Sequence, residues 1–409
     1  MARAPADAAP ALPVDGLRLG FLLPIGIASF ASSAALRLCD AMLPALASEF
    51  GVGLGRAALA TSGYALAYGL LQLVYGALGD RFGKWRVVSL ATLACTLGNL
   101  LAAVSGSLDM LIAARVLSGA TAAAIIPLSM ALIGDAVPFA QRQVVLARFL
   151  TATISGMIVG QWLSGLFADT LGWRWAFSVF ALLFAIVGAA MVLRPPAGMR
   201  MRAAAAPGSA SGPGLLAGMR QVLRDPWVRW LLAVTIVQAA LAFAAVTFIP
   251  AFLHHEFGLG LQASAGVVVA YGVGGLVYAW RAAALLRMAT QPTLVAIGGA
   301  MVALSYAVMA FAGHWLVALP ACVVAGMGYY MLQNMLNTQA SQMAPALRGT
   351  AMSLFAASLF SGIFVGVSVG AAVVDLGGYR GLFGVVSAGI AIMCLVMRRG
   401  LLRRSAGLS

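Results

Sequence analysis

Gly76-Ala77-Leu78-Gly79-Asp80-Arg81-Phe82-Gly83-Lys84-Trp85-Arg86 is a charged island in a chain that is otherwise apolar. The runs on either side of it, 57–78 and 86–107, are long enough to cross a hydrocarbon layer as helices, which takes about 20 residues. Read outward in both directions, the 409 residues hold further runs of this kind at 19–46, 110–134, 145–168, 174–194, 228–253, 263–285, 291–312, 315–339, 349–375 and 380–397. Hydrophobic residues make up 62% of the chain and charged residues 9%, where a soluble domain has about 25% charged. Neither a soluble fold nor a disordered chain has that balance, because a hydrated exterior needs more polar surface. In lipid the backbone must satisfy its own hydrogen bonds, and runs this long do so as helices, not as barrel strands. The expected fold class is an all-α integral membrane protein of twelve transmembrane helices. The first run is too long for the core of a signal peptide, and no small-residue cleavage site ends it.

The formal net charge is +14, from 25 Lys and Arg against 11 Asp and Glu. Placed between the spans, the basic residues take sides. Arg56, Arg174 and Arg380 fall on one face, Arg37 and Arg115 fall inside spans, and the rest fall on the other face. Basic loops are retained in the cytoplasm, so both termini are expected there. The charge is a topology signal, and nucleic acid is not an expected partner. A hydrophilic stretch rich in Ala, Pro, Gly, Ser and Arg has six spans before it and six after, and has the composition of a flexible linker. The expected organisation is a cytoplasmic tail 1–18, a six-helix bundle 19–194, a cytoplasmic linker 195–226, a second six-helix bundle 227–397 and a cytoplasmic tail 398–409. Cys39, Cys95, Cys322 and Cys394 all fall in apolar runs, where small buried hydrophobes are expected, not disulfides or metal ligands.

The two halves are related. Glu49-Phe50-Gly51-Val52-Gly53-Leu54 recurs as Glu256-Phe257-Gly258-Leu259-Gly260-Leu261, each preceded by a Pro-Ala pair, Pro44-Ala45 and Pro250-Ala251. Further on, Ala67-Tyr68-Gly69 and Leu73-Val74-Tyr75 recur as Ala270-Tyr271-Gly272 and Leu276-Val277-Tyr278. Matches in one order at nearly one offset point to a parallel six-plus-six repeat forming two pseudo-symmetric bundles. Carriers that rock one half against the other have this plan, with the substrate held between the halves.

The island from Gly76 to Arg86 resembles the signature loop of the major facilitator superfamily, Gly-x-Leu-x-Asp-Arg-x-Gly-Arg/Lys-x-x. Arg115-Val116-Leu117-Ser118-Gly119 is similar to that family's fourth-helix Arg-x-x-x-Gly motif. Asp40-Ala41-Met42-Leu43-Pro44 is similar to the Asp-x-x-x-Pro of its twelve-span proton-driven drug exporters. One departure is in span five. Where those exporters carry Gly-x-x-x-Gly-Pro-x-x-Gly-Gly, this chain has Gly156-Met157-Ile158-Val159-Gly160-Gln161-Trp162-Leu163-Ser164-Gly165, with glutamine in place of proline. The small-residue spacing that permits close helix packing survives.

An ionised side chain at membrane depth costs about 2.5–3.5 kcal/mol on insertion scales, so Arg37, Asp40 and Arg115 are functional candidates. At helical rise, Asp40 lies about 12 Å from the outer end of span one, Arg115 about 9 Å into span four and Gln161, an expected substrate contact, about 12 Å from the end of span five. Asp40 is the expected proton carrier, its ionisation set by competition between desolvation and the nearby arginines. Arg115 is expected to modulate it or to touch substrate. Arg37, one turn from Asp40, either neutralises it or binds an anionic group. Substrate contact and interhelical hydrogen bonding are equal expectations for the polar residues of span ten, Tyr330, Gln333, Asn334 and Asn337. In the signature loop Gly76, Asp80, Arg81, Gly83 and Lys84 are expected to latch one conformational state. Asp80 would charge-stabilise the start of a second-half helix, and Arg81 would pair with Asp135 at the end of span four.

The resemblance implies a secondary active transporter, most simply a proton-coupled exporter of small organic molecules working by alternating access. Uptake or facilitated movement of a small organic anion, with Arg37 and Arg115 as ligands, is the second transport reading. A receptor or scaffold on a transporter fold is a reading of another class. No nucleophile motif or spaced His/Glu/Asp cluster points to an enzyme, and neither a cofactor nor a metal is expected. His254-His255-Glu256 reads as a solvated loop. The expected partners are a small-molecule substrate, protons and the lipid bilayer of a bacterial inner membrane, with the protein a monomer.

Overall fold

The computed structural model describes residues 20–195, 215–344 and 347–405. The expected tail 1–18, the stretch 196–214 of the expected linker and the last residues of the C-terminal tail lie outside the described residues, and with them Arg3, Arg18, Arg200 and Arg202. Among the described residues the only regular structure is helical. Ten helical stretches are long and apolar enough to cross a membrane. The count rises to twelve because the shorter Leu22–Arg37 continues as Leu43–Phe50 and because Arg348–Ser405 is divided at Gly378, whose φ is 68°. Large apolar side chains such as Leu97, Leu182 and Ile392 stay exposed around the outside. In a bilayer these side chains face lipid. The second part of the expected linker is itself ordered: Leu215–Val222 is a helix packed against the last one.

Prolines place the interruptions within the spans. A proline lacks the N–H that would bond to the carbonyl four residues back, and its ring crowds that carbonyl. Pro44, Pro127 and Pro250 each follow closely on a break: span one opens at Leu38–Met42, span four at Ala123–Ala124 and span seven at Thr247–Phe248. Pro320, in the first turn of Ala318–Gln342, breaks nothing, because N–H groups there have no intrahelical partner in any case. After two of these breaks the chain resumes as Leu43–Phe50 and Ile249–Phe257, which end on Gly51 and Gly258 at φ 62° and 65°. A left-handed residue there closes the helix, and glycine takes that conformation without a Cβ penalty.

Glycine ladders join the spans within each half, and the repeat reproduces them. In span five, Phe139–Asp169, an added Cβ on Gly156 or Gly160 would strike the Phe30 or Ala34 backbone of span one. In span eleven, Gly362 and Gly366 meet Ile236 and Ala240 of span seven in the same way. All four contacts are related by one constant offset. Two ion pairs repeat as well. Glu49 pairs with Arg174 on one half and Glu256 with Arg380 on the other, each tying the end of the half's first span to its last inter-span turn.

Candidate functional site

The break in span one makes the site. It puts Asp40 outside regular helix, where the Ala41 and Met42 N–H groups donate to Ser164 Oγ at 3.1 and 3.2 Å. Ser164 continues the Gly156–Gly160 face of span five by one more turn, so the ladder that packs the two spans also clamps the break. Arg37 Nη1 lies 2.9 Å from Asp40 Oδ2. Asp40 is fully buried and Arg37 is 6% exposed, so this is a buried ion pair, costly to break from either side. Arg37 faces the centre of the molecule, with its guanidinium 5.4 Å from the ring of Phe243 in span seven. Phe243 is the counterpart of Arg37 in the repeat, as Val246 is of Asp40, so the pair belongs to the first half alone.

Between the halves lies a cavity of about 260 Å³. Arg37 is its charged wall residue, and Asp40 sits behind Arg37, off the surface. Tyr68, Tyr271, Tyr329 and Tyr330 line it with Phe243 and Phe360. Tyr68 packs on Phe360 across the interface with ring centres 4.3 Å apart. Gln161, 3% exposed, presents an amide whose nitrogen and oxygen both lack a protein partner. The adjacent Gly160 faces span one; one residue on, about 100° round the helix, Gln161 faces the cavity.

The remaining candidates divide by position. Arg115 is fully buried, but it does not line the cavity. Its Nη2 donates to the Ala35 carbonyl at 2.8 Å and its Nε to the Ala60 carbonyl at 3.3 Å, with the guanidinium 4.2 Å from the Tyr64 ring. It therefore crosslinks spans one, two and four. In span ten, Tyr330 and Gln333 line the cavity. Asn334 instead donates to the Tyr278 hydroxyl of span eight at 2.8 Å, and Asn337 is exposed.

In the signature loop the expected partners are exchanged. Lys84, not Arg81, takes Asp135, at 2.5 Å. Lys84 follows Gly83, whose φ of 88° turns the chain so that the third span starts at Lys84 beside the end of the fourth. Arg81 lies 5.2 Å over the adjacent Phe82 ring. Asp80 is exposed and reaches only as far as Lys84 of its own loop, at 3.9 Å, so it caps no second-half helix here. Gly76 faces open space, whereas Gly79 is the glycine pressed by a neighbour, Leu128 of span four.

At the opposite face, the one carrying Gly51, the halves are joined by a feature that sequence reasoning missed. Asp169, the last residue of span five, accepts the Gln262 N–H at the start of span eight, at 2.7 Å. Its repeat counterpart, Asp375, lies against Gly55 at the start of span two, where an added Cβ would stand 3.0 Å from Oδ2. Gly165 packs on the Leu261 backbone just inside the first contact. Each half thus ends a span in an aspartate that meets the N-terminal end of a helix of the other half, where partial positive charge favours a carboxylate. The signal was present as an Asp repeated at the same place in each half. His254-His255-Glu256 is exposed as expected but ends the helix Ile249–Phe257 instead of forming a loop, His254 holding the Leu259 carbonyl while Glu256 is taken by Arg380.

Comparison with known proteins fits this architecture. A family model described as Major Facilitator Superfamily matches residues 25–366. The nucleoside transporter NupG has a solved structure that superposes with a TM-score of 0.77 over 93% of this chain and 99% of its own, at 12% identity, which speaks to fold alone. The multidrug export protein EmrB of Escherichia coli is 27% identical over 168 residues, 41% of this chain and 33% of EmrB. The probable actinorhodin transporter of Streptomyces coelicolor is 31% identical over 159 residues, 37% of this chain and 27% of that one. An uncharacterised transporter of Mycobacterium tuberculosis is 33% identical over 136 residues, 33% of this chain and 24% of its own. The matches thus span a third or less of these relatives. With the family model covering most of the sequence and the two related six-helix halves enclosing one cavity, the chain belongs to the Major Facilitator Superfamily of membrane transporters.

Proposed function

We propose that the protein exports small organic molecules in exchange for protons by alternating access, from the cytoplasmic side of a bacterial inner membrane. The observation that carries this reading is the buried Arg37–Asp40 pair, with Arg37 on the cavity wall and Asp40 sealed behind it. With Asp40 ionised the pair is neutral and the cavity wall carries no net charge. A proton on Asp40 cancels that carboxylate and leaves the Arg37 guanidinium unpaired against the cavity. An apolar occupant then shares a low-dielectric space with an uncompensated charge, which disfavours it. Proton and substrate therefore compete although they do not touch, which is the requirement for exchange. The resemblance of part of the chain to export proteins supports the direction.

Anion transport through Arg37 and Arg115 finds less support, because Arg115 is committed to backbone carbonyls and Arg37 to Asp40. The exchange reading is tested in proteoliposomes. Asp40→Asn is expected to abolish substrate movement driven by an imposed pH gradient while gradient-free counterflow of the same substrate persists. Gradient-driven movement at the wild-type rate in that variant removes Asp40 as the carrier.

A further inference from the structure

The cavity wall also constrains what can sit in it. Resting on the reading of this cavity as the substrate site, we infer that the ligand is an uncharged planar aromatic molecule carrying an amide- or lactam-like donor–acceptor edge, and that Gln161 reads that edge. Three observations converge. First, the wall offers no accessible carboxylate, since Asp40 is fully buried beneath Arg37 and the lining holds no acidic residue. An organic cation would enter a low-dielectric space with no counter-charge, at a large desolvation cost. Second, Arg37 is already paired with Asp40 at 2.9 Å. An organic anion would have to take that guanidinium away and leave Asp40 buried without its partner, the most damaging way to disturb a buried pair.

Third, polar atoms on this wall lack partners within the protein. They are the Gln161 amide nitrogen and oxygen and Gln333 Oε1, with Gln161 3% exposed. A buried polar group left unmade costs more than the bond returns when made, so these atoms select a ligand that satisfies them. Gln161 presents a donor and an acceptor side by side on one plane. A lactam or primary amide edge pairs with both at once. Tyr271 and Tyr330, which line the same cavity, give the ring planes against which an aromatic body stacks. Specificity then follows from the polar edge: an analogue that lacks the donor strands the Gln161 oxygen, which separates ligands far more strongly than one methylene does.

Titration calorimetry on the purified full-length protein in nanodiscs tests this with four probes on one bicyclic ring. They are 2-quinolone, N-methyl-2-quinolone, quinoline-2-carboxylate and N-methylquinolinium. The expected result is that 2-quinolone binds tightest, with each of the other three at least tenfold weaker. In Gln161→Leu the affinity for 2-quinolone should fall to that of its N-methyl derivative, which itself should change less than threefold. Tighter binding of either ion, equal binding of the two lactams, discrimination that survives in Gln161→Leu, or no binding by any probe overturns the inference. The wild-type probe series decides between these outcomes even where Gln161→Leu does not fold. Failure here is separable from failure of the exchange mechanism. Ion-preferring binding beside Asp40-dependent flux would remove the ligand class only, and lactam binding without such flux would remove the proton exchange only.

Discussion

At the scale of single residues, two buried arginines at similar depth behave differently because of what their guanidinium groups meet. Arg115 meets backbone carbonyls and an aromatic face, so its loss is expected to register as instability. Arg115→Met should lower unfolding free energy by about 1–3 kcal/mol, the cost of stranding buried carbonyls. It should leave ligand affinity within twofold, measured by calorimetry on the folded fraction; a selective loss of affinity at unchanged stability would return Arg115 to the site. Arg37 meets a buried carboxylate instead. Arg37→Met alone should cost about 3–5 kcal/mol because it leaves Asp40 unpaired, whereas Arg37→Met combined with Asp40→Leu should recover most of that loss. Chemical unfolding of the two variants gives the comparison, and equal stability of single and double variants would mean that an unpaired Asp40 is not the source of the loss. Sequence alone flags Arg37, Asp40 and Arg115 as charges, and Gln161 as a polar group, inside apolar runs. It does not say which meets a ligand and which a carbonyl, because the partners of Arg115 come from two other spans. Asn334 and Tyr278 hide one another for the same reason.

At the scale of elements, the repeat is legible in short words such as Glu49-Phe50-Gly51 and Glu256-Phe257-Gly258, and the structure gives those words a mechanical meaning. Each marks a span reopened by a proline and closed by a left-handed glycine. The small-residue spacing in span five signals close packing, but not its target; that the target is span one, and that spans seven and eleven repeat the arrangement, requires the fold. Because the ladders are related by the repeat, damage to either should be alike. Gly160→Val and Gly366→Val each drive a side chain into the facing backbone, of Ala34 and Ala240. Each should lower the yield of folded, monodisperse protein several-fold. Gly134, in the second piece of span four, has open space where a Cβ would stand. Gly134→Ala should therefore raise stability, by about 0.5–1 kcal/mol, through reduced backbone freedom in the unfolded chain. A thermal melt of all three variants in one detergent checks the ordering, and a destabilised Gly134→Ala would contradict the packing described.

At the scale of the whole molecule, the proposed alternating access makes closure at one face and release at the other two readings of one motion. Asp169 and Asp375 join the halves at the Gly51 face, while at the arginine-rich face Asp80 lies exposed and Lys84 is held by Asp135 within its own half. Rocking about the central cavity, as the proposed alternating access requires, would exchange these conditions. In the proposed cycle, opening the Gly51 face would break the contacts of both aspartates with helix starts and bring the signature loop toward the second half. The two ends were not equally legible. The signature loop is contiguous in sequence, whereas each aspartate finds its partner only through the packing of one half on the other. Since the two aspartate contacts are related by the repeat, their effects should add with the same sign. Asp169→Asn and Asp375→Asn each weaken a carboxylate–helix-end interaction of about 0.3–1 kcal/mol, enough together to shift a two-state equilibrium by roughly threefold to thirtyfold. Spin labels at Leu171 and Leu376, exposed residues of the two halves on that face, would report the shift as a longer distance population that grows from single to double variant. A distance distribution unchanged in the double variant would show that the aspartates do not hold the face closed. The same variants with Asp80→Asn added should move back toward the wild-type distribution, because removing that carboxylate weakens the contact expected to hold the alternative state.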